Sequence, residues 1–308
     1  MFNVIIPTLN AAKDWPLFSQ ALLASVRPEQ VLILDSESTD GTVELARMAG
    51  FSVVTIARSE FNHGGTRQRA ATMLPSAEIL VYLTQDAVLA TSDAVTKLLA
   101  AFENPAVGVA YGRQLPRPDA GAIEAHTREF NYPASPDLRD LTSRGRLGIK
   151  TIFISNSFAA YRRSALMQVG GFPSTVIFGE DTITAAHLLS ADYKLAYVAD
   201  ACVYHSHAYS WKQDFARSFD IGVLHSREGW LLEKFGRATG EGKRFVISEL
   251  RYLWQKDPKQ MPSAVIRTGL KVLGYRLGMM EAKLTPGVKR RLSMHPHFWK
   301  QPRSNPSL

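Results

Sequence analysis

Short apolar runs alternate with amphipathic segments through the first third of the chain. The apolar runs have the length and β-branched character of buried strands, and the segments between them repeat their apolar residues at helical spacing. The predicted strands are Phe2–Pro7, Val31–Leu34, Ser52–Ala57, Ile79–Leu83 and Val107–Gly112. The predicted helices between them are Trp15–Val26, Val43–Ala49, Gly64–Ala77 and Asp93–Phe102. This order is typical of an α/β fold with a mostly parallel, doubly wound sheet, whose ligands bind at the carboxyl ends of the strands.

The alternation stops between residues 113 and 150, where four prolines and many charges predict a long functional loop or short helices that cover a site. Regular patterns return further along the chain, with an apolar segment at Thr151–Ala160, helices near Arg163–Val169 and Asp181–Ala191, and strands at Lys194–Val198 and Ala201–His205. From Trp211 to about Lys283 the pattern is mainly helical. We therefore expect an α/β domain of residues 1–210 and a mainly helical region of residues 211–308.

The composition narrows the class of protein. Of the 308 residues, 45% are hydrophobic and 21% are charged, which excludes a mainly disordered chain. The single cysteine, Cys202, excludes a disulfide framework and a cysteine-rich zinc site. The sequence has neither a basic leader before an apolar segment nor an apolar run of about 18 residues. We therefore expect a cytoplasmic protein, or one lying peripherally on the inner face of the cytoplasmic membrane.

The basic character of the chain belongs to its C-terminal region. The net charge is +8, yet fourteen Lys and Arg residues and only three Asp and Glu residues follow residue 242. Such an excess predicts an acidic partner, and we find no helix-turn-helix, zinc-finger or RNP signature that would favour nucleic acid. The apolar residues of this region recur at partly helical spacing. They predict either basic amphipathic helices at an anionic membrane surface, or helices that pack on the core or against another copy in a homo-oligomer.

Several acidic and imidazole side chains follow predicted strands. Asp35 ends the second strand, where a carboxylate can accept hydrogen bonds from a nucleotide base or ribose, although a solvated turn is the alternative. Asp86 follows the fourth strand and His205 ends a late one. A carboxylate and an imidazole at one edge of a sheet suit Mg²⁺ or Mn²⁺, and the imidazole favours Mn²⁺. The alternative for His205 is a surface histidine, an interpretation that we prefer for His207.

Two further segments combine charged residues with a helix start. Glu180 and Asp181 precede a predicted helix, where acids either stabilise the helix dipole or point into a cleft. Gly64 and its neighbour begin another helix beside His63 and Arg67, which predicts an anion site, with an ordinary glycine turn as the alternative. No glycine-rich dinucleotide motif follows the first strand and no Walker loop is present, so dinucleotide and P-loop functions lose support.

Taken in order, the segments Val4–Asn10, Asp35–Thr42 and Gly179–Asp181 resemble the inverting nucleotide-sugar glycosyltransferases of family 2, which have the GT-A fold. Within that family, Glu60–Arg67 and Leu83–Ala87 are similar to segments of bacterial rhamnosyltransferases. Those enzymes build O-antigen and other surface polysaccharides from dTDP-L-rhamnose. The resemblance covers roughly residues 2–210.

The resemblance implies a role for each candidate residue. It assigns Asp181 to general base catalysis, Asp35 to the pyrimidine, and Asp86 with His205 to the metal and diphosphate. The remaining substrate-binding residues that it implies are Thr8, Asn10, Ser36, His63, Gly64, Arg67, Gln85 and Glu180. The segment from His63 to Arg67 is expected to contact either the donor diphosphate or its sugar.

One departure affects the metal. The Asp-x-Asp pattern of the fold stands here as Gln85-Asp86-Ala87, so one of its two carboxylates is missing. Cation affinity is then expected to depend on His205, or to be weak.

The resemblance implies transfer of L-rhamnose from dTDP-L-rhamnose to a hydroxyl of a glycan acceptor carried on polyprenyl diphosphate. A single displacement assisted by a general base inverts the anomeric configuration. Two alternatives stay open at this point. One is a family 2 enzyme with a UDP-sugar donor, and the other is a non-catalytic nucleotide-sugar-binding protein, which the missing carboxylate would suit.

Overall fold

A computed structural model describes residues 1–237 and 240–300 of the chain. Within these residues, nine strands form one sheet: β1 (Phe2–Thr8), β2 (Val31–Asp35), β3 (Ser52–Thr55), β4 (Ile79–Leu83), β5 (Val88–Leu89), β6 (Val107–Leu115), β7 (Asp137–Arg139), β8 (Phe158–Arg162) and β9 (Lys194–Tyr204). The helices of the α/β part are α1 (Trp15–Leu23), α2 (Thr42–Met48), α3 (His63–Met73), α4 (Ala94–Ala100), α5 (Ala122–Asn131), α6 (Arg144–Leu147), α7 (Arg163–Gln168) and α8 (Glu180–Ser190). Those that follow are α9 (Trp211–Arg227), α10 (Gly229–Phe235), α11 (Glu241–Lys256), α12 (Met261–Met279) and α13 (Pro286–Leu292).

The first four long strands form the parallel half of the sheet. Their order is β3-β2-β1-β4, and every neighbouring pair in it is parallel. Strand β2 is buried along its whole length, as its continuous apolar run predicts. The register pairs Thr8 with Asp35, so the polar residues that end β1 and β2 meet at one edge. The predicted α/β fold is confirmed in this half.

The second half of the sheet is mixed rather than parallel. Strand β8 lies between β4 and β6 and is antiparallel to both, and β5 and β7 pair antiparallel with β9. The two predicted late strands are one strand, β9, whose register against β6 shifts between Gly112 and Arg113. The loop or short helices predicted between residues 113 and 150 are α5, β7 and α6. Because β6 and β9 run parallel to each other, their carboxyl ends reach one edge of the sheet.

Both faces of the sheet are covered. Alternate residues of β1 serve opposite sides, since Val4 and Ile6 pack with Trp15 and Phe18 of α1, whereas Ile5 packs on the face covered by α3 and α8. Residues that follow a strand are therefore left at the sheet edge, outside both apolar layers.

The C-terminal helices pack through a close crossing of α9 and α12. A Cβ atom at Gly222 would lie 2.3 Å from the carbonyl oxygen of Tyr275. One at Gly274 would lie 2.4 Å from the carbonyl oxygen of Phe215, and one at Gly278 would lie 2.0 Å from that of Phe219. Glycine is therefore required at all three positions by backbone proximity. Within the described residues, no helix is long and apolar enough to cross a bilayer.

Replacing Gly278 with alanine is expected to lower the free energy of unfolding by about 1–3 kcal/mol, because the new methyl group has only backbone atoms to displace. Gly269 lies on the exposed side of the same helix with no atom within 4 Å of a built Cβ. Gly269→Ala should be neutral, or stabilising by up to about 1 kcal/mol through helix propensity. Urea denaturation of both variants checks this, and equal midpoints would contradict the close crossing.

Candidate functional site

A cavity of about 460 Å³ opens where β4, β6 and β9 end. The segments that line it follow these strands, begin α3 and α8, lie between residues 149 and 157, or belong to α5, α9 and the C-terminal segment. Six of the predicted site residues line this one cavity: His63, Arg67, Asp86, Glu180, Asp181 and His205. The structure therefore brings side chains from distant parts of the sequence together at one cavity.

Three potential metal ligands meet on the cavity wall. Nε2 of His205 lies 3.3 Å from an oxygen of Asp86, and Nε2 of His207 lies 3.5 Å from the same oxygen. One ligand atom of each residue lies within 4.8 Å of the other two. The rings of His205 and His207 are 4.6 Å apart and edge to face, so the two Nε2 atoms converge on the carboxylate.

The hydrogen bonds behind His205 determine which of its nitrogens faces the cavity. Nδ1 of His205 lies 3.0 Å from Oε1 of Gln114, and an N–H of Arg128 donates to the same oxygen over 2.5 Å. The Gln114 amide is oriented because its NH₂ group donates to the Ser155 hydroxyl over 3.0 Å. Oε1 is thus an acceptor, and we assign the His205 proton to Nδ1. The lone pair on Nε2 then faces Asp86, an arrangement that suits a cation between them.

The protonation states also fit a cation. Burial alone would raise the pKa of the Asp86 carboxyl, but the polar side chains around it, His205 first among them, hold that pKa well below its usual range. Burial, with His205 nearby, lowers the pKa of His207 to about 4. At neutral pH the cluster therefore offers one charged oxygen ligand and a neutral imidazole, a donor set suited to Mn²⁺ or Mg²⁺.

Gln85, which stands where a second carboxylate would be expected, binds the backbone instead. Its side-chain oxygen accepts from the Leu9 amide over 2.7 Å, and its side-chain nitrogen donates to the Leu9 carbonyl over 3.0 Å. This pair of hydrogen bonds ties the segment after β1 to the segment that carries Asp86.

A buried ion pair lies beside the cluster. The guanidinium of Arg67 is 2.9 Å from the carboxylate of Glu180, and both side chains are less than 8% exposed. Asn156 donates to the same carboxylate over 3.3 Å, and burial lowers the pKa of the neighbouring His63. The predicted anion site at this helix start is thus occupied by an anion of the chain itself. Gly64 belongs to the same junction, because a Cβ there would lie 1.9 Å from the carbonyl oxygen of Pro173.

Asp181 begins α8 next to this pair and lines the cavity. Its carboxylate accepts from the Thr182 amide over 2.7 Å and from the Asn156 amide over 3.2 Å. Burial, together with the charge of Glu180, nevertheless raises the pKa of Asp181 to about 6. A carboxylate whose pKa lies just below neutrality can accept a proton at neutral pH.

The other predicted residues form a hydrogen-bonded cluster at the ends of β1 and β2. The carboxylate of Asp35 is buried and accepts from the Thr8 hydroxyl over 2.9 Å and from the Ser38 amide over 2.8 Å. The side-chain oxygen of Asn10 accepts from the Thr39 amide over 2.9 Å. The buried hydroxyl of Ser36 has no hydrogen-bond partner among the described residues. Thr8 thus orients Asp35, and Asn10 fixes the turn beside it.

Sequence reasoning missed part of the cavity wall. His207 was interpreted as a surface histidine, and its alternation with His205 directly after a strand is the signal that could have found it. His295 reaches the wall from the C-terminal segment, where its ring lies 5.3 Å from that of His63. The segment is held by Asp220, which accepts from the Met294 amide over 2.9 Å. Arg128 lies in a stretch where only a covering loop or short helices were expected.

Comparisons with known proteins find a matching family and similar sequences. The model of glycosyl transferase family 2 matches residues 3–170. The O-antigen chain rhamnosyltransferase RfbN of Salmonella typhimurium is 42% identical over 299 residues, which cover 96% of this chain and 95% of that protein. The O-antigen chain rhamnosyltransferase WbaN of Salmonella anatum is 41% identical over 302 residues, which cover 97% and 95% of the two chains.

Two solved structures share the fold at lower identity. The mannosyltransferase PcManGT from Pyrobaculum calidifontis, in complex with GDP-Man and Mn²⁺, matches with a TM-score of 0.55 and 19% identity over 97% of this chain and 84% of that chain. S. aureus TarS 1–349 in complex with UDP matches with a TM-score of 0.54 and 15% identity over 92% and 91% of the two chains. At these identities the likeness concerns the fold.

Replacing Arg67 with methionine is expected to lower the free energy of unfolding by about 3–5 kcal/mol, because it leaves the Glu180 carboxylate buried without its cation. Arg69 is the matched control, since it pairs with Glu60 over 3.4 Å on the surface. Arg69→Met should cost less than about 1 kcal/mol. Chemical denaturation measures both, and similar losses would contradict a structural role for the buried pair.

Proposed function

Because the chain belongs to glycosyltransferase family 2, we propose that it transfers L-rhamnose from dTDP-L-rhamnose to a hydroxyl of a glycan acceptor during O-antigen or related surface polysaccharide synthesis. Family membership makes it an inverting glycosyltransferase with the GT-A fold. The choice of sugar is supported by two relatives more than 40% identical over nearly the whole chain, both of which are O-antigen chain rhamnosyltransferases. Residues 1–210 are proposed as the catalytic domain, and residues 211–308 as the region that meets the acceptor or the membrane.

One observation carries the mechanism. A single cavity holds both a carboxylate with a raised pKa, Asp181, and the cluster of Asp86, His205 and His207. In an inverting transfer the acceptor hydroxyl loses its proton as its oxygen attacks the anomeric carbon. We assign proton acceptance to Asp181. The hydrogen bonds from the Asn156 and Thr182 amides hold its carboxylate in place while it does so.

The leaving nucleoside diphosphate becomes more negative as the bond to the sugar breaks. Asp86, His205 and His207 are the residues proposed to hold Mg²⁺ or Mn²⁺ beside it. When bound, such a cation supplies electrostatic stabilisation of the developing charge. Gln114 and Arg128 keep the His205 imidazole in the tautomer that presents Nε2 to the cavity. The base of the nucleotide is proposed to lie at Asp35, the acid that ends β2.

The acceptor is proposed to be linked to polyprenyl diphosphate, which places the reaction at the inner face of the cytoplasmic membrane. The outer sides of α11 and α12 support this location. They expose both cationic and large apolar side chains, here called the basic-apolar face: Lys243, Ile247, Arg251 and Trp254 of α11, and Val265, Ile266, Val272, Leu273 and Arg276 of α12.

The acids of the same region are less exposed than its cations. Between residues 243 and 300, Glu249 and Glu281 are buried and Asp257 is half-buried. The surface is therefore positively charged and carries an indole that is 70% exposed at Trp254. This combination matches the interface of an anionic bilayer, where cations meet lipid headgroups and apolar side chains enter the acyl boundary.

Replacing Asp181 with asparagine is expected to reduce kcat about 10²- to 10⁴-fold, because the amide cannot accept the acceptor proton. Release of dTDP from dTDP-L-rhamnose in the presence of lipid-linked acceptor measures the loss. In the wild type kcat/KM should rise with pH through about 6 and then level off, since Asp181 must be deprotonated to act as base. The residual activity of the variant should lack this rise.

Asp200→Asn is the matched control, because it removes an equal charge from an exposed position on β9. It should leave both the rate and the pH profile unchanged. Wild-type turnover with UDP-sugars instead of dTDP-L-rhamnose would overturn the donor assignment and leave the mechanism intact. Donor binding without turnover, with acceptor and Mn²⁺ supplied, would contradict the proposed reaction.

The double variant Arg251→Glu with Trp254→Ser is expected to bind vesicles that contain phosphatidylglycerol about tenfold or more weakly than the wild type. A cation near an anionic surface contributes roughly 1 kcal/mol, and the charge reversal turns attraction into repulsion. Sedimentation with vesicles measures bound protein.

Arg47→Glu with Met48→Ser is the control for the membrane test, since both residues are exposed on α2 and Met48 is 84% exposed. This pair should leave vesicle binding unchanged. Equal loss in the two double variants, or equal binding to neutral phosphatidylcholine vesicles, would overturn the assignment of the basic-apolar face to the membrane.

A further inference from the structure

Four cationic side chains line the catalytic cavity, and they differ in whether a carboxylate neutralises them. Arg67 is paired with Glu180, and Lys150 is paired with Glu241. Arg128 and Arg217 have no carboxylate within 4.0 Å among the described residues. A cavity that carries two uncompensated guanidinium groups is built for an anion.

Arg128 is held in a position that leaves part of its hydrogen-bonding capacity unused. It extends from α5, is half-buried, and donates through one Nη atom to Gln114. Its Nε is shielded from solvent and has no partner among the described residues. A guanidinium has five N–H donors in a rigid fork, so a buried donor without an acceptor calls for a ligand that supplies oxygens.

Arg217 approaches from a different wall, on α9. Its guanidinium lies 5.8 Å from the ring centre of Tyr209, and the Tyr209 ring stacks on that of His207 at 5.4 Å. Arg128 reaches the same cluster through Gln114, whose Oε1 accepts from Arg128 and lies 3.0 Å from Nδ1 of His205. The two cations therefore approach the candidate metal cluster of Asp86, His205 and His207 from two walls of the cavity.

The charge balance identifies the class of ligand. Arg128 and Arg217 are two guanidinium groups without a carboxylate partner among the described residues, whereas Asp86 is the one acid of the candidate metal cluster. The two arginines and the cluster together therefore carry more cationic than acidic groups before any metal ion binds. A diphosphate matches this charge, and it becomes more negative when the glycosyl C–O bond breaks and the electron pair stays on the phosphate oxygen.

We propose that Arg128 and Arg217 form a two-guanidinium clamp for the diphosphate of the sugar nucleotide. This inference rests on the proposed function. The clamp supplies positive charge that a tightly held cation would otherwise provide alone. It binds the nucleotide before reaction and stabilises the leaving diphosphate during it. A lipid-linked acceptor also carries a diphosphate, but the position of both arginines beside the candidate metal cluster favours the nucleotide.

Calorimetric titration of dTDP and dTMP, with Mn²⁺ and separately with EDTA, tests the clamp. The wild type should prefer dTDP to dTMP even in EDTA. Arg217→Gln and Arg128→Gln should each weaken dTDP binding roughly 10- to 100-fold, the effect of losing a charge-assisted hydrogen bond, and change dTMP binding much less. Arg217→Gln removes no hydrogen bond to Gln114 or His205. A loss of dTDP affinity that persists in EDTA therefore cannot arise through a bound cation.

Arg128→Lys and Arg47→Gln complete the set. The lysine keeps the charge without the fork and should recover part of the dTDP affinity. Arg47 is exposed on α2, away from the cavity and from the basic-apolar face, so its replacement controls for the change in net charge and should have no effect. Unfolding midpoints are measured alongside, and the surface position of Arg217 keeps at least one variant folded.

Each result has a definite meaning. The clamp is overturned if both glutamine variants keep the wild-type affinity for dTDP, or if they lose equal affinity for dTDP and dTMP. In either case, binding of dTDP by the wild type still upholds the proposed function. Geranyl diphosphate is titrated as a soluble analogue of the lipid diphosphate. If the glutamine variants lose its binding but keep that of dTDP, the arginines bind the lipid diphosphate and the nucleotide assignment is overturned. A wild type that binds no dTDP, UDP or GDP would overturn both proposals.

Discussion

The site depends on one buried ion pair. A charge taken out of water must be matched by an opposite charge and by hydrogen bonds, so Arg67 of α3 and Glu180 of α8 fix their two helices against each other. The helices approach closely because Gly64 presents no Cβ to the carbonyl of Pro173. The pair also sets the chemistry of its neighbour. Glu180 is held ionised next to Asp181, and its negative charge, added to burial, raises the pKa of that carboxyl to about 6.

The candidate metal cluster shows how a missing carboxylate changes the rest of a site. Gln85 uses its amide to join the ends of β1 and β4, so the position is structural in this chain. Asp86 alone gives a hard cation a weak hold, and the two imidazoles that converge on it fit a softer ion better than a second carboxylate would.

The sequence predicts those parts of the fold that depend on local pattern. Strands β1 to β4 and the acids that follow them were predicted because apolar periodicity is read from neighbouring residues, and parallel strands place their ends at one edge. The insertion of β8 antiparallel to β4, and the joining of two predicted strands into β9, depend on pairing between residues far apart in the chain. Periodicity carries no information about such partners.

The same limit applies to the site. His205 was predicted because it ends a strand, whereas His207 was interpreted as a surface histidine. Strand β9 ends at Tyr204, so beyond it the two imidazoles follow the loop and turn together toward Asp86. His295 comes from nearly a hundred residues further along and reaches the cavity through a hydrogen bond to Asp220. Nothing local to its sequence marks it as part of the site.

The C-terminal helices connect the cavity to the surface of the molecule. Helix α9 presents Arg217 and Leu224 to the cavity and packs through its glycine on α12, which in turn exposes Val265 and Leu273. The crossing is close because backbone meets backbone, so the basic-apolar face and the cavity wall are held in a fixed relation. In the proposed function, an acceptor whose lipid lies in a membrane plane needs such a relation, because its reacting hydroxyl has to reach Asp181 at a set distance from the bilayer. The proposal thus gives the basic residues after residue 242 and the carboxylate at the start of α8 one shared geometric requirement.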